Sequence, residues 1–290
     1  MAHNVTVGID GSAPSAAAAG WAAREARRRG LPLRMIHVAG TEADALERDL
    51  GDGNALPGRV ADLRARSAAA RPDLEITCEV QPGHPAYTLA AASGRADLLV
   101  LGSRGLGGFT GLLVGSVGLR TAARSLCPVV LIRAEAGEAG GAAGSPSGDV
   151  VVGVESDQPN DAVLEFAFQQ AAGRGVGLRA VESRTTSHDT YATRAPVEQA
   201  EIREAMAAAE QLRLEDALAR WREKFPQVRA EAEVCPWSAG RALVEASHGA
   251  SLVVLGRRTA RHPLAGPHLG PVAQSVLHHA HAPVALVPHD

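Results

Sequence analysis

Val5-Thr-Val-Gly-Ile-Asp10 returns later in the chain as Val150-Val-Val-Gly-Val-Glu155, at an offset of 145 residues. Two further stretches repeat in the same order. Asp97-Leu-Leu-Val-Leu-Gly102 matches Ser251-Leu-Val-Val-Leu-Gly256 at an offset of 154, and Pro128-Val-Val-Leu-Ile132 matches Pro283-Val-Ala-Leu-Val287 at an offset of 155. A repeat of this length is a whole domain rather than a solenoid unit. The rising offset puts nine extra residues in the middle of the second half and one more in the loop that follows its fourth strand. The expected organisation is therefore a first domain over 1–134, a linker over 135–148 and a second domain over 149–290. The linker reads EAGEAGGAAGSPSG, a small, polar, glycine-rich composition that favours a flexible connector.

Between the repeated anchors, short apolar runs alternate with longer helical stretches. In the first half, strands are expected near 5–9, 33–38, 74–80, 97–102 and 128–132, and helices over 14–29, 56–70, 85–94 and 116–125. Leu-Leu-Val-Leu and Val-Val-Leu-Ile are apolar on both faces, as strands buried in a parallel sheet must be. Ala18, Trp21, Ala22, Glu25 and Ala26 fall near helical spacing, and Gly30 closes that helix. Pro159, Ala162, Phe166, Ala167 and Ala171 occupy the corresponding positions in the second half. The alternation predicts an α/β fold: two tandem doubly wound five-stranded parallel-sheet domains, Rossmann-like, with ligands at the carboxyl ends of the strands.

Composition narrows the function. The chain has 290 residues, 46% of them hydrophobic and 3% aromatic, so its cores are aliphatic. A net charge of −3 supplies no positive field to collect nucleic acid or an anionic membrane. Lys224 is the only lysine. Cys78, Cys127 and Cys235 are odd in number and form no CxxC pair, which points to three buried, inert thiols rather than disulfides or zinc. No leader-like start and no run of membrane-spanning length is apparent, so the expected location is the cytoplasm.

The most informative segment is Gly102-Ser-Arg-Gly105-Leu-Gly-Gly-Phe-Thr-Gly-Leu-Leu-Val-Gly115-Ser116. It leaves a buried strand and enters a helix. Glycines let backbone N–H groups approach an anion with no Cβ in the way, and the helix that follows offers unpaired amides and the positive end of its dipole. Ser116 is expected to add a hydroxyl at the N-cap. Neither GxxxxGK[ST] nor an early GxGxxG is present, and the first half has no lysine for a phosphate loop.

The spacing G-x2-G-x9-G-S after the fourth strand, with Asp10 at the end of strand one, resembles the universal stress protein family. The resemblance covers both halves and is complete at the first loop. It implies an adenine nucleotide alpha hydrolase-like fold and ATP as ligand, with Mg²⁺ as an accompanying ion. The adenine would lie against Gly8, Ile9, Asp10 and Val38. The phosphates would lie at Gly102, Gly105, Gly115, Ser116 and Val117, and Leu101 beside them would belong to the same cofactor-binding set. It also implies a stress regulator rather than a turnover enzyme; the alternatives are slow ATP hydrolysis or adenylyl or phosphoryl transfer, and a nucleotide-independent dimerising scaffold. Association through the last strands is implied as well. The two halves would then pack as an internal pseudo-dimer, and two chains as a homodimer. From the residues alone, Asp10 is equally an aspartate that caps a turn at a strand end.

The second loop is Gly256-Arg-Arg-Thr-Ala-Arg-His-Pro-Leu-Ala-Gly266-Pro-His-Leu-Gly270-Pro271. Thr259 stands where Gly105 does, Pro271 replaces Ser116 and so lacks an N–H, and Glu155 replaces Asp10. Trp237 replaces Gly83, where an indole could fill space at the mouth. A degenerate site is expected, with one nucleotide per chain; a counter-reading gives Arg257, Arg258 and Arg261 to phosphate. His278 and His281 can share a helix face, but a helix end that favours cations is the simpler reading of the C-terminal histidines. His37 could line the crevice. The stretch 184–224, with Glu198, Glu201, Glu204, Glu210 and Glu215 among arginines, reads as a long exposed helix with i,i+4 pairs.

Overall fold

The computed structural model describes residues 3–40, 58–103, 114–133, 148–184, 196–259 and 267–290, with backbone only for 196–203. The first half runs β1 (Val5–Ile9), α1 (Ala13–Arg29), β2 (Leu33–Ala39), α2 (Gly58–Ala69), β3 (Ile76–Pro82), α3 (Pro85–Ala92), β4 (Leu98–Gly102), α4 (Ser116–Arg124) and β5 (Val129–Ile132). The second half repeats it: β6 (Val150–Gly153), α5 (Asp161–Arg174), β7 (Leu178–Ser183), α6 (Pro196–Lys224), β8 (Ala230–Cys235), α7 (Ala239–Ala246), β9 (Leu252–Arg258), α8 (Pro271–His279) and β10 (Val284–His289). The linker 135–147 lies outside the described residues.

Within each half the five strands are parallel, and β5 and β10 then pair antiparallel to make one ten-stranded sheet, β3-β2-β1-β4-β5-β10-β9-β6-β7-β8. In this register Val284 faces Leu131, Ala285 faces Val130 and Leu286 faces Val129. The last strands thus join the halves as an internal pseudo-dimer. One apolar layer, with α1, α2, α5 and α6 on it, contains Val7, Ala22, Val152 and Phe168. The other, under α3, α4, α7 and α8, contains Leu89, Leu131, Leu243 and Leu286.

Local rules account for the helix ends. Ser12 caps α1 by accepting from Ser15 N, and Gly30 ends it in the left-handed region at φ 64°, where a side chain would be strained. Asn160 caps α5 by accepting from Ala162 N and Val163 N. Pro159 therefore lies before α5, whereas Pro14 lies inside α1. Strand β3 sits two residues later than expected, because Leu74 N still donates to Arg71 O in a turn.

The long helix α6 is not simply exposed. Leu214 and Leu218 are fully buried, and Trp221 stacks with Phe168 and Phe225. Its ion pairs mostly leave the helix: Arg213 reaches Asp157, Arg220 reaches Asp161 and Lys224 reaches Glu165 at 2.6 Å. A helix with one apolar stripe facing a sheet places its charges beside the next helix rather than only along its own axis.

Among the cysteines, Cys127 and Cys235 are buried and Cys78 is half-buried; all three are free thiols. Burial pushes the Cys127 and Cys235 thiols up to about 11, so both are protonated and inert at neutral pH.

Candidate functional site

The order 3-2-1-4-5 places the topological switch point between β1 and β4, where chain leaves in opposite directions and a crevice opens. Beyond β1 the chain makes a tight turn. Asp10 Oδ1 accepts from Ser12 N at 2.9 Å, Asp10 N donates to Ser15 Oγ at 3.4 Å, and Gly11 takes φ 78°. Asp10 therefore does cap its turn. Arg59 at the start of α2 covers it, with Nε donating to the Asp10 carbonyl at 2.8 Å. A Cβ on Gly11 would lie 2.5 Å from Arg59 Cγ.

Beyond β4 the chain forms a neck. Ser103 N donates to Ile132 O at 2.7 Å, and Gly115 N donates to Ser103 O at 2.6 Å. The glycine loop thus leaves and returns through two residues held together, and α4 begins at once. Gly115, at φ −77° and ψ 159°, is the N-cap. Ser116, expected at the cap, is the first helical residue instead, because the Ser103–Gly115 bond fixes where the helix starts. Gly115's own amide is engaged at the neck. The amides of Ser116, Val117 and Gly118 belong to the first turn, which has no intrahelical acceptors for them.

The other expected site residues divide by what they touch. A Cβ on Gly8 would lie 2.7 Å from Leu101 Cδ2, and one on Gly102 would lie 2.7 Å from the Pro14 carbonyl carbon. Close packing against the Pro14 backbone alone already requires glycine at 102, whereas at Gly8 the near atoms are leucine methyls. Ile9, Val38 and Leu101 are buried in the apolar layers, so only their backbone at the strand ends can face a ligand. Gly105 lies outside the described residues, as does Arg104. His37 is buried and its Nδ1 lies 3.0 Å from the Ile9 carbonyl; it ties β2 to β1 rather than lining the crevice.

The second half differs at each matched point. Gly270 and Pro271 occupy the N-cap and first position of α8, so the repeat alignment holds while the N–H of Ser116 has no counterpart. Strand β9 continues to Arg258, pairing Arg257 with Pro288 and Arg258 with His289, and Thr259 N donates to His289 O at 2.7 Å. The chain that opens a loop at Ser103 is here stitched into the sheet. Glu155 pairs with Arg258 at 3.2 Å, both exposed. Glu182, matching His37, accepts from Ser156 N at 2.8 Å and so holds the turn that Asp10 holds in the first half. Trp237 is partly exposed, with Arg241 over its ring at 5.0 Å.

Two of the alternatives raised by the sequence are narrowed. Arg257 is not a crevice cation: it is buried and donates to the carbonyls of Ala123 and Ser125. Arg261 lies outside the described residues. His281 stacks on His248, with ring centroids 3.8 Å apart, rather than sharing a face with His278. No group of three or more histidines, cysteines and carboxylates capable of holding a metal occurs among the described residues. No helix there is long and apolar enough to cross a membrane. Ser103, Arg59 and Arg257 were not singled out from sequence as structural parts of the crevice. The repeat itself carried the signal for two of them, since Ser103 and Arg257 are matched at the 154-residue offset.

These features define a tandem pair of doubly wound α/β domains whose matched loops differ, the first entering its helix at Gly115-Ser116 and the second at Gly270-Pro271. The chain belongs to the universal stress protein family, which it matches over residues 1–133 and 147–288. It is 30% identical over 298 residues to universal stress protein Rv2005c of Mycobacterium tuberculosis, covering 97% of this chain and 96% of the relative. Universal stress protein Rv2623 of the same organism is 31% identical over 298 residues, with 97% and 94% covered. The crystal structure of a universal stress protein from Archaeoglobus fulgidus matches with a TM-score of 0.67 at 18% identity, covering 99% of both chains.

Proposed function

We propose that this protein is a nucleotide-responsive stress regulator that binds ATP, with Mg²⁺, in the crevice of its first half and acts in the cytoplasm as a binding module rather than an enzyme. The observation that carries this reading is the neck: the Gly115 N–H to Ser103 O bond sets the start of α4 beside the glycine loop. The first-turn amides and the positive helix end then suit a phosphate group. Asp10 stands across the switch point at the end of β1. One carboxylate shared with nucleotide phosphates is the donor set Mg²⁺ ordinarily takes. The site residues we assign are the strand-end backbone of Gly8, Ile9, Asp10, Val38 and Leu101, with Gly102, Gly105, Gly115, Ser116 and Val117 for the phosphates.

Because β5 and β10 consume each other's edges, a homodimer of whole chains would use another surface. The test is to denature purified protein and assay the supernatant for adenine nucleotide, followed by titration with ATP, ADP and cyclic AMP. ATP in the supernatant and one site per chain are expected. Gly115→Val, which puts a side chain where phosphate approaches, is expected to abolish binding while the circular dichroism spectrum is kept. ADP alone in the supernatant, with slow release of phosphate, favours hydrolysis. No nucleotide and no saturable titration would sink the proposal.

A further inference from the structure

Arg257 belongs to β9 of the second half, yet its side chain lies in the first. Nη1 donates to the Ala123 carbonyl at 3.1 Å, and Nη2 donates to the Ser125 carbonyl. These carbonyls end α4, the helix whose other end is the Gly115 neck. Arg257 is 7% exposed, and among the described residues no carboxylate pairs with it. Its charge is answered by the negative end of a helix, where the last carbonyls lack intrahelical donors. Arg133 makes the converse contact, donating to Ala280 O at the end of α8.

Three other contacts hold α4 in place. Thr121 Oγ1 donates to Ala86 O of α3 at 3.3 Å. A Cβ on Gly118 would lie 3.3 Å from Leu131 Cδ2, so the helix lies close on β5. Gly115 N is bound at the neck. A nine-residue helix is stiff, so releasing the clamp at its C-terminus lets it pivot and shifts the first-turn amides at its N-terminus.

We propose that Arg257 is a positioning residue for the phosphate site of the first half: by clamping the C-terminus of α4 it fixes where the first-turn amides of that helix stand. The second half thereby sets nucleotide affinity in the first. The inference rests on the ATP reading above. It also gives a physical use for the altered second loop, since the position that opens the loop at Ser103 has become the strut that braces its partner.

The test compares the full-length wild type with Arg257→Met and Arg257→Lys, titrating each with ATP and with adenosine. Methionine keeps length and removes the charge and both donors. ATP affinity is expected to fall about 5- to 50-fold in Arg257→Met, within the span usual for coupled sites, while adenosine affinity changes by less than about twofold. Lysine keeps the charge but cannot span two carbonyls with one planar fork, so it should restore part of the loss. Unchanged ATP affinity in Arg257→Met would overturn the inference and leave the ATP reading intact. Equal losses for ATP and adenosine would overturn it too, because a merely structural residue acts on both. Failure of the wild type to bind ATP would overturn the ATP reading itself. Should Arg257→Met not fold, hydrogen exchange on the wild type decides: ATP is expected to slow exchange in 119–127 and 252–259, and protection confined to the loop and neck would refute the coupling.

Discussion

Glu25 shows how far a single residue's role depends on what the other half brings to it. It is on α1, 2% exposed, and accepts from Gln170 Nε2 of α5 at 2.7 Å. Arg29 Nε lies 2.7 Å away, Arg28 Nη1 2.9 Å and Arg174 Nη2 of the second half 3.3 Å. Burial alone would raise its pKa, but Arg174 and Arg29 outweigh it, so the carboxyl is held below its usual range. A lowered folded pKa means that the carboxylate's contribution is fully present above the unfolded value of about 4.3 and is lost as pH falls through the folded value. Glu25→Gln is expected to cost about 3–5 kcal/mol at pH 7, because it leaves a buried guanidinium cluster without its anion. It should also flatten the fall in stability between neutral and acid pH. Urea unfolding at several pH values reads both, and an unchanged pH slope would show that another group carries it. Sequence placed Glu25 on the buried helix face without a reason. The reason was not legible, because its partners Gln170 and Arg174 are 145 and 149 residues away.

At the scale of elements, the strands were the most legible part, since Leu-Leu-Val-Leu and Val-Val-Leu-Ile have no polar face to mislead. β1 falls on its expected residues and β4, β5 and α4 within one. Helix α6 ends at Lys224 as expected but begins at Pro196 rather than near 184, and it was misread in placement. Leu214, Leu218, Trp221 and Phe225 recur at helical spacing, but the surrounding glutamates and arginines suggested pairs within the helix. Spacing cannot tell whether an arginine's partner lies four residues away or on α5, and the exposed pairs to Asp161 and Glu165 add little stability in either case. The two loop helices make a sharper case. Their N-caps match, Gly115 with Gly270, and Pro271 is the visible lesion. The continuation of β9 through Arg258 was not visible, because Arg257 and Arg258 look like a polar loop. It follows that restoring the donor alone is insufficient. Pro271→Ser returns an N–H and a hydroxyl to α8 but leaves Thr259 bound to His289 and Asp290. ATP titration of this variant is expected to give one site per chain, as in the wild type. A second site of similar affinity would show that proline alone disabled the second crevice.

At the scale of the molecule, the seam between β5 and β10 carries the symmetry of the repeat. With the 155-residue offset, Val284 is the counterpart of Val129, Ala285 of Val130 and Leu286 of Leu131. The observed pairs Val284 with Leu131, Ala285 with Val130 and Leu286 with Val129 are therefore what a two-fold axis through Val130 and Ala285 produces. The internal seam has the geometry of a dimer interface between two identical halves. Cutting the chain exposes an edge whose four residues, Val129 to Ile132, are all buried in the intact protein. An open, uncharged apolar edge recruits another strand. The first half alone, residues 1–134, is expected to dimerise in sedimentation experiments by pairing β5 with β5, placing Val130 against its own copy. Val130→Asp sets two carboxylates face to face on the axis and is expected to give a monomer of lower stability. A monomeric, stable wild-type half would mean that the seam is held by Arg133, Arg257 and the Glu25 cluster, and that strand pairing follows from those contacts rather than causing the halves to join.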